Sequence, residues 1–182
     1  MAPSIVLHRL QPRMPHDELM QIADELAGAS NDLTEFMTRV GRRSGEWVEM
    51  RHFPAIEELD GWRPRDDFVA YLMREAEFFP RTFDSITVKA VPFAADDHVV
   101  VEPLSFSGPL LGQGRHVDIR YRLTLHYDAA GRVAKITGAL MPQNNRDDVI
   151  AWLKVIERLG GLGQTRARPH PPAGTAISQE KA

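Results

Sequence analysis

In the stretch WVEMRHFPAI, residues 47 to 56, side chains alternate as in a β-strand until Pro54 removes a backbone donor, and His52 shares the core-facing parity of Val48 and Met50. An imidazole on such a face has two readings. It is a packed, hydrogen-bonded core histidine, or it is the polar group of a ligand pocket, where an ordinary pKa of ~6.5 lets it take and return a proton near neutrality. Further along, Val117, Ile119, Tyr121, Leu123, Leu125 and Tyr127 form one face of the longest strand-like run, opposite His116, Asp118, Arg120, Arg122, Thr124 and His126. The Tyr121 phenol is therefore either a tethered core hydroxyl or a donor to a carbonyl or developing enolate. Parity counted along the neighbouring runs puts Ser105 and Thr137 on the inward side, where hydroxyls can orient a ligand. The same count sends Val100, Leu104, Phe106, Ile136 and Leu140 to the outer face. Apolar walls are expected from Met50, Phe68, Tyr71, Leu72, Phe79, Leu123, Ala139 and Met141.

Other chemistries have little to stand on. Cysteine is absent, which removes disulfides, thiolate nucleophiles and thiolate metal ligands. The seven histidines are scattered without the H-x-x-x-H, H-x-H or carboxylate spacing of a metal site, so neither a metal nor a cofactor is expected. PLLGQGR joins two strands and opens no helix, so it reads as a hairpin tip rather than a phosphate loop. A formal net charge of −3 leaves no basic excess to neutralise a nucleic-acid backbone. No window approaches ~18 uninterrupted apolar residues, so the chain is expected to be cytoplasmic and to have no membrane partner.

The elements that must position these groups follow from periodicity. A length of 182 residues with 43% hydrophobic content suits one domain plus tails. The spacing of Leu19, Ile22, Ala23 and Leu26 predicts a first helix, and that of Leu33, Phe36, Met37 and Val40 a second, capped by Ser30 or Asn31. The strand at Trp47–Phe53 and the loop AIEELDGWRPR follow, and Asp66 or Asp67 starts a third helix that Pro80 stops. FDSITVKAVPF, HVVVEPLSFSG, RHVDIRYRLTLHYD and RVAKITGALMP then read as four strands joined by short turns, which favour antiparallel neighbours. A last helix, RDDVIAWLKVIERL, ends at Gly160 and Gly161. This order predicts an α+β domain over residues 16–160 in which a curved antiparallel sheet wraps over helices and leaves a hollow. Residues 1–15 are a leader, and the proline-rich residues 161–182 are expected to stay disordered.

The H-x-P at His52–Pro54 before a glycine-containing loop and a helix, then G-R-x-V-x-I at 114–119 and the Y-D-x-x-G-R-V hairpin at 127–133, give a chain that resembles the nuclear transport factor 2-like superfamily, in its SnoaL-like and ketosteroid isomerase-like branch. The resemblance covers roughly residues 16 to 160 and implies a cone-shaped fold, a deep apolar pocket and a homodimer through the outer sheet face, with Lys89, Glu102 and Arg120 available for pairs there. Its members include isomerases, polyketide cyclases, epoxide hydrolases, dehydratases and noncatalytic binders. The cyclase-type aspartate at the end of the last long strand falls at Met141, and the hydrolases' Arg and Asp pair falls at Pro103 and Ser105, so neither set is present. The isomerase carboxylate base falls close to Arg51, His52 and Phe53, so an imidazole occupies that place. Two functions are carried forward. One is binding of a small apolar molecule with cofactor-independent isomerase, cyclase or dehydratase chemistry on a carbonyl compound, His52 as base and Tyr121 as polariser. The other is a noncatalytic, dimeric ligand-binding or accessory protein, supported by the loss of both aspartate positions.

Overall fold

The computed structural model describes residues 13–161, 166–170 and 173. In chain order the elements are α1 (His16–Ala27), α2 (Leu33–Arg42), β1 (Ser44–Phe53), β2 (Gly61–Pro64), α3 (Arg65–Phe78), a 3-10 turn (Phe79–Thr82), β3 (Thr87–Ala95), β4 (His98–Pro109), β5 (His116–Tyr127), β6 (Val133–Leu140) and α4 (Arg146–Arg158). The helical faces are those the periodicity indicates: α1 buries Leu19, Ile22, Ala23 and Leu26, and α2 buries Leu33, Phe36, Met37 and Val40. The cap of α2 is Asp32 rather than Ser30 or Asn31, because its carboxylate accepts from the Glu35 N–H at 2.9 Å. Helix α3 starts at Arg65, behind Pro64, and Asp66 and Asp67 sit in its first turn, where the helix dipole favours acids.

The strands form one sheet in the order β2-β1-β6-β5-β4-β3. The sheet is curved and mixed, not wholly antiparallel, since β1 lies parallel to β6 while every other pair is antiparallel. Local turns do not join β1 to its neighbour: β1 precedes the meander in the chain and docks beside its last strand, so no hairpin constrains the direction. The four residues of β2 pair with Trp47–Met50, turning part of the expected loop into an edge strand. Helix α1 rests on β3 and β4, α3 on β1, α2 on α3, and α4 on β5 and the 3-10 turn. No described helix is long and apolar enough to cross a membrane.

Two bulges correct the parity count. Between the pairs Val101↔Leu123 and Leu104↔Tyr121, β4 advances by three residues while β5 advances by two, so the extra residue at Glu102-Pro103 reverses which side chains face the helices. Leu104 and Phe106 therefore point inward, 4% and 1% exposed, and Ser105 pairs with Arg120 on the outer face. Between His126↔Lys135 and Tyr127↔Val133, β6 carries the extra residue. Ile136, Gly138 and Leu140 consequently share the inner face with Leu125, Leu123 and Tyr121, while Thr137 and Ala139 face out. Val100 stays on the outer side opposite Thr124, as expected.

At the other edge, Trp62 and Arg168 exchange backbone hydrogen bonds of 2.8 and 2.9 Å, and the Arg168 guanidinium lies 4.9 Å from the centre of the Trp47 ring. The tail, expected to be disordered, thus adds one residue pair to β2, with its free backbone edge and an aromatic ring as the attraction. Residues 1–12 of the leader and most of the tail lie outside the described residues.

The bulged register has a direct energetic consequence. Phe106→Ala should cost about 3–5 kcal/mol of unfolding free energy by leaving a cavity, whereas Ser105→Ala should cost about 1 kcal/mol or less. Chemical denaturation of both variants checks this, and comparable losses would contradict the register.

Candidate functional site

The curved sheet and α3 enclose a hollow of about 70 Å³. An engineered apolar cavity of about 150 Å³ holds benzene, so this space suits a small ligand or a few waters before any side chain moves. Met37, Met50, Leu72, Leu104, Phe106 and Leu123 supply apolar wall, and the polar groups reaching it are Arg51, His52, Tyr71, Glu75 and Tyr121.

His52 comes from the end of β1, where its parallel partner is Gly138 of β6. With no side chain at that position, the imidazole lies over the glycine: a Cβ added there would stand 3.7 Å from His52 Cδ2. His52 Nδ1 is 2.6 Å from Asp60 Oδ1, and the Asp60 Oδ2 accepts from the Ile56 N–H at 3.3 Å. Both side chains are largely sheltered, His52 18% and Asp60 12% exposed. Asp60 reaches this place because β2 returns antiparallel to β1 with Gly61 opposite Met50, which carries the residue before Gly61 back to the strand end. Gly61 has φ of +136°, and a Cβ there would meet the Arg168 carbonyl oxygen at 2.4 Å, so only glycine fits this return.

Helix α3 supplies the second polar group. Phe68, Tyr71 and Leu72 lie three and four residues after Phe68, and Glu75 lies four and three residues after them, so Glu75 projects from the same face as the buried aromatics. Enclosure by the protein pushes its pKa up to about 7, against the opposing effects of the hydrogen bond from the Tyr71 hydroxyl and of the Arg63 charge. Arg63, from β2, is 1% exposed and sits with its guanidinium 5.1 Å from the centre of the Tyr71 ring. Burial, then the neighbouring Glu75, holds the Tyr71 phenol well above its ordinary range. Tyr121 is raised in the same way, by burial first and by Glu75 second, and so remains a neutral donor. Its ring is set edge-on to Phe106 and Trp152 at 6.2 and 6.1 Å. Trp152 is itself pinned by an Nε1–H bond of 2.9 Å to Thr82 Oγ1, which ties α4 to the 3-10 turn.

The hollow gathers Met50, His52, Tyr71, Leu72, Phe79, Tyr121 and Leu123 from the expected set. Phe68 is instead fully buried in the core. Ser105 and Thr137 lie on the outer face through the two bulges, as does Ala139, and Met141 follows β6 with its N–H donated to the Arg120 carbonyl. Those residues are outside the lining of the hollow. Within the chain, Glu102 pairs with Arg122 at 2.6 Å and Arg120 with Asp118 at 2.6 Å. Sequence reasoning missed Glu75 and Asp60. The signal for Glu75 was its place one turn after Tyr71 on an apolar helical face; Asp60 had none before β2 was paired.

Comparison with protein-family models gave no match, and comparison with curated proteins gave none either. Solved structures do resemble the chain. An NTF2-like protein from Burkholderia xenovorans LB400 is 17% identical with a TM-score of 0.48, over 74% of this chain and 98% of that one. A steroid delta-isomerase from Pseudomonas aeruginosa is 13% identical with a TM-score of 0.47, over 82% and 94% of the two chains. The BvnE pinacolase from Penicillium brevicompactum is 12% identical with a TM-score of 0.47, over 79% and 97%. These are likenesses of fold between chains of low sequence identity.

Proposed function

We propose that the hollow binds a small, largely apolar carbonyl compound and moves a proton on it without a cofactor, as an isomerase, cyclase or dehydratase does. The observation that carries this reading is the bond between His52 and Asp60. If the Nδ1–H donates to the carboxylate, Nε2 keeps its lone pair and is the nitrogen left to meet a ligand. His52 then takes a proton from the carbon beside the carbonyl, and Asp60 stabilises the imidazolium that forms. The electron pair moves onto the carbonyl oxygen, which accepts a hydrogen bond from the Tyr121 hydroxyl. Return of the proton to a different carbon completes an isomerisation; its delivery to a departing hydroxyl completes a dehydration. Glu75, with a pKa of about 7, holds a transferable proton near neutrality and is the second acid of the site.

A second reading, noncatalytic binding, is favoured by the modest volume of about 70 Å³ and by Met141 at the cyclases' aspartate position. Proton exchange separates the two. In D2O, NMR should show the wild type exchanging the acidic C–H of at least one member of a panel of small cyclic ketones and enones. His52→Ala should abolish that exchange while the thermal transition persists, and Asp60→Asn should slow it about 10²–10⁴-fold by releasing the tautomer. Tyr121→Phe should slow it about 10²–10³-fold. Undiminished exchange in His52→Ala contradicts the mechanism, and saturable binding with no exchange across the panel favours the noncatalytic reading.

The raised pKa of Glu75 also sets a pH dependence of stability. A carboxyl that holds its proton more tightly folded than unfolded leaves the folded state with more bound protons between the two pKa values, so stability falls as pH rises there. The window runs from the ordinary value of 4.5 to about 7, and the loss is of order 3 kcal/mol. Denaturant titrations from pH 4.5 to 8 should show Glu75→Gln gaining on the wild type steadily through this window and no further above it. A constant difference between the two would show that Glu75 ionises freely.

A further inference from the structure

We infer that Asp97, His98 and His126 form a site for one borderline divalent transition ion, such as Zn²⁺, Ni²⁺ or Cu²⁺, on the outer face of the sheet. Each of the three residues offers one ligand atom, and these atoms all lie within 4.8 Å of one another. His98 opens β4 and is the cross-strand partner of His126 near the end of β5, so the two imidazoles project from the same side of the sheet, 5.1 Å between ring centres and 35° between planes. Their neighbours Val99 and Leu125 form the next pair and point the other way, fully into the core, which fixes the direction of both imidazoles.

Asp97, in the turn from β3, stands with Oδ1 2.9 Å from His98 Nδ1. Ligand atoms bound at ~2.0–2.2 Å from a zinc-like ion lie roughly 3 to 3.5 Å apart, so this contact needs to open only slightly to become one edge of a coordination shell. An ion entering there takes the place of the proton the two atoms share. The opposing cation is Arg13, whose guanidinium lies 3.8 Å from the other Asp97 oxygen on a side chain that is 70% exposed.

Two imidazoles with one carboxylate select borderline ions over calcium or magnesium, which prefer all-oxygen shells. Three protein ligands leave at least one coordination position for water or an added ligand. The site is on the opposite side of the sheet from the hollow, and none of its residues lines that hollow. The linear sequence hides it because the strand ladder, not a short motif, brings residue 126 beside residues 97 and 98.

The test is calorimetric titration of the tag-free, metal-stripped full chain with ZnCl₂, with Co²⁺ absorption as a second readout of geometry. One ion per chain is expected. His98→Gln and His126→Gln should each weaken binding roughly tenfold or more, Asp97→Asn should weaken it too, and His116→Gln should leave it unchanged. Thermal melting without metal should show all four variants folded, and zinc should raise the transition of the wild type and of His116→Gln by more than that of the other three. Absence of saturable binding to the wild type, or undiminished binding to His98→Gln and His126→Gln, overturns the inference.

Discussion

An imidazole presents its basic nitrogen to a fixed point only when something holds the proton on the other nitrogen, and the group placed to do so here is Asp60. Much of the local architecture bears on that contact. The edge strand β2 exists on the strength of its pairing with β1, and its antiparallel return carries Asp60 to the end of β1. The Ile56 N–H orients the second carboxylate oxygen, and Gly138 on β6 leaves the ring a flat floor. Loss of any one of these would leave a histidine that is buried but undirected.

The hollow imposes the opposite kind of constraint on Glu75. A carboxyl in a hollow lined by Met37, Leu72 and Phe106 gives up hydration, and one phenol and one guanidinium across an aromatic ring compensate only partly. Such a group costs stability in its ionised form, so its presence on the apolar face of α3 works against the fold at neutral pH. Carboxyls kept part-protonated in this way, facing a cavity, belong to sites that exchange protons or grip polar atoms more often than to structural cores. Tyr121, raised by the same burial, keeps its proton throughout and can only donate.

Where the side-chain period runs unbroken, the sequence was easy to read. The faces of α1, α2 and β5 follow from spacing alone, and so does the inward direction of His52 with Met50 and Val48. A single extra residue in β4 and another in β6 defeated the same rule, since a one-residue insertion exchanges the two faces for everything beyond it. Pro103 inside a run of strand formers was the visible warning in β4. β6 carries no proline or other mark at its bulge. Asp60, β2 and the pair His98 and His126 depend on which strand lies beside which, and pairing between distant segments leaves no local trace in composition or period.

The account turns on the proton of His52, and long-range proton–nitrogen correlation spectra of the protein with ¹⁵N-labelled histidine read that proton directly. The neutral His52 ring should be the Nδ1–H tautomer, with its lone pair on Nε2 and a strongly downfield Nδ1 proton that disappears in Asp60→Ala. A ring protonated at Nε2, or one exchanging between tautomers regardless of residue 60, would contradict it.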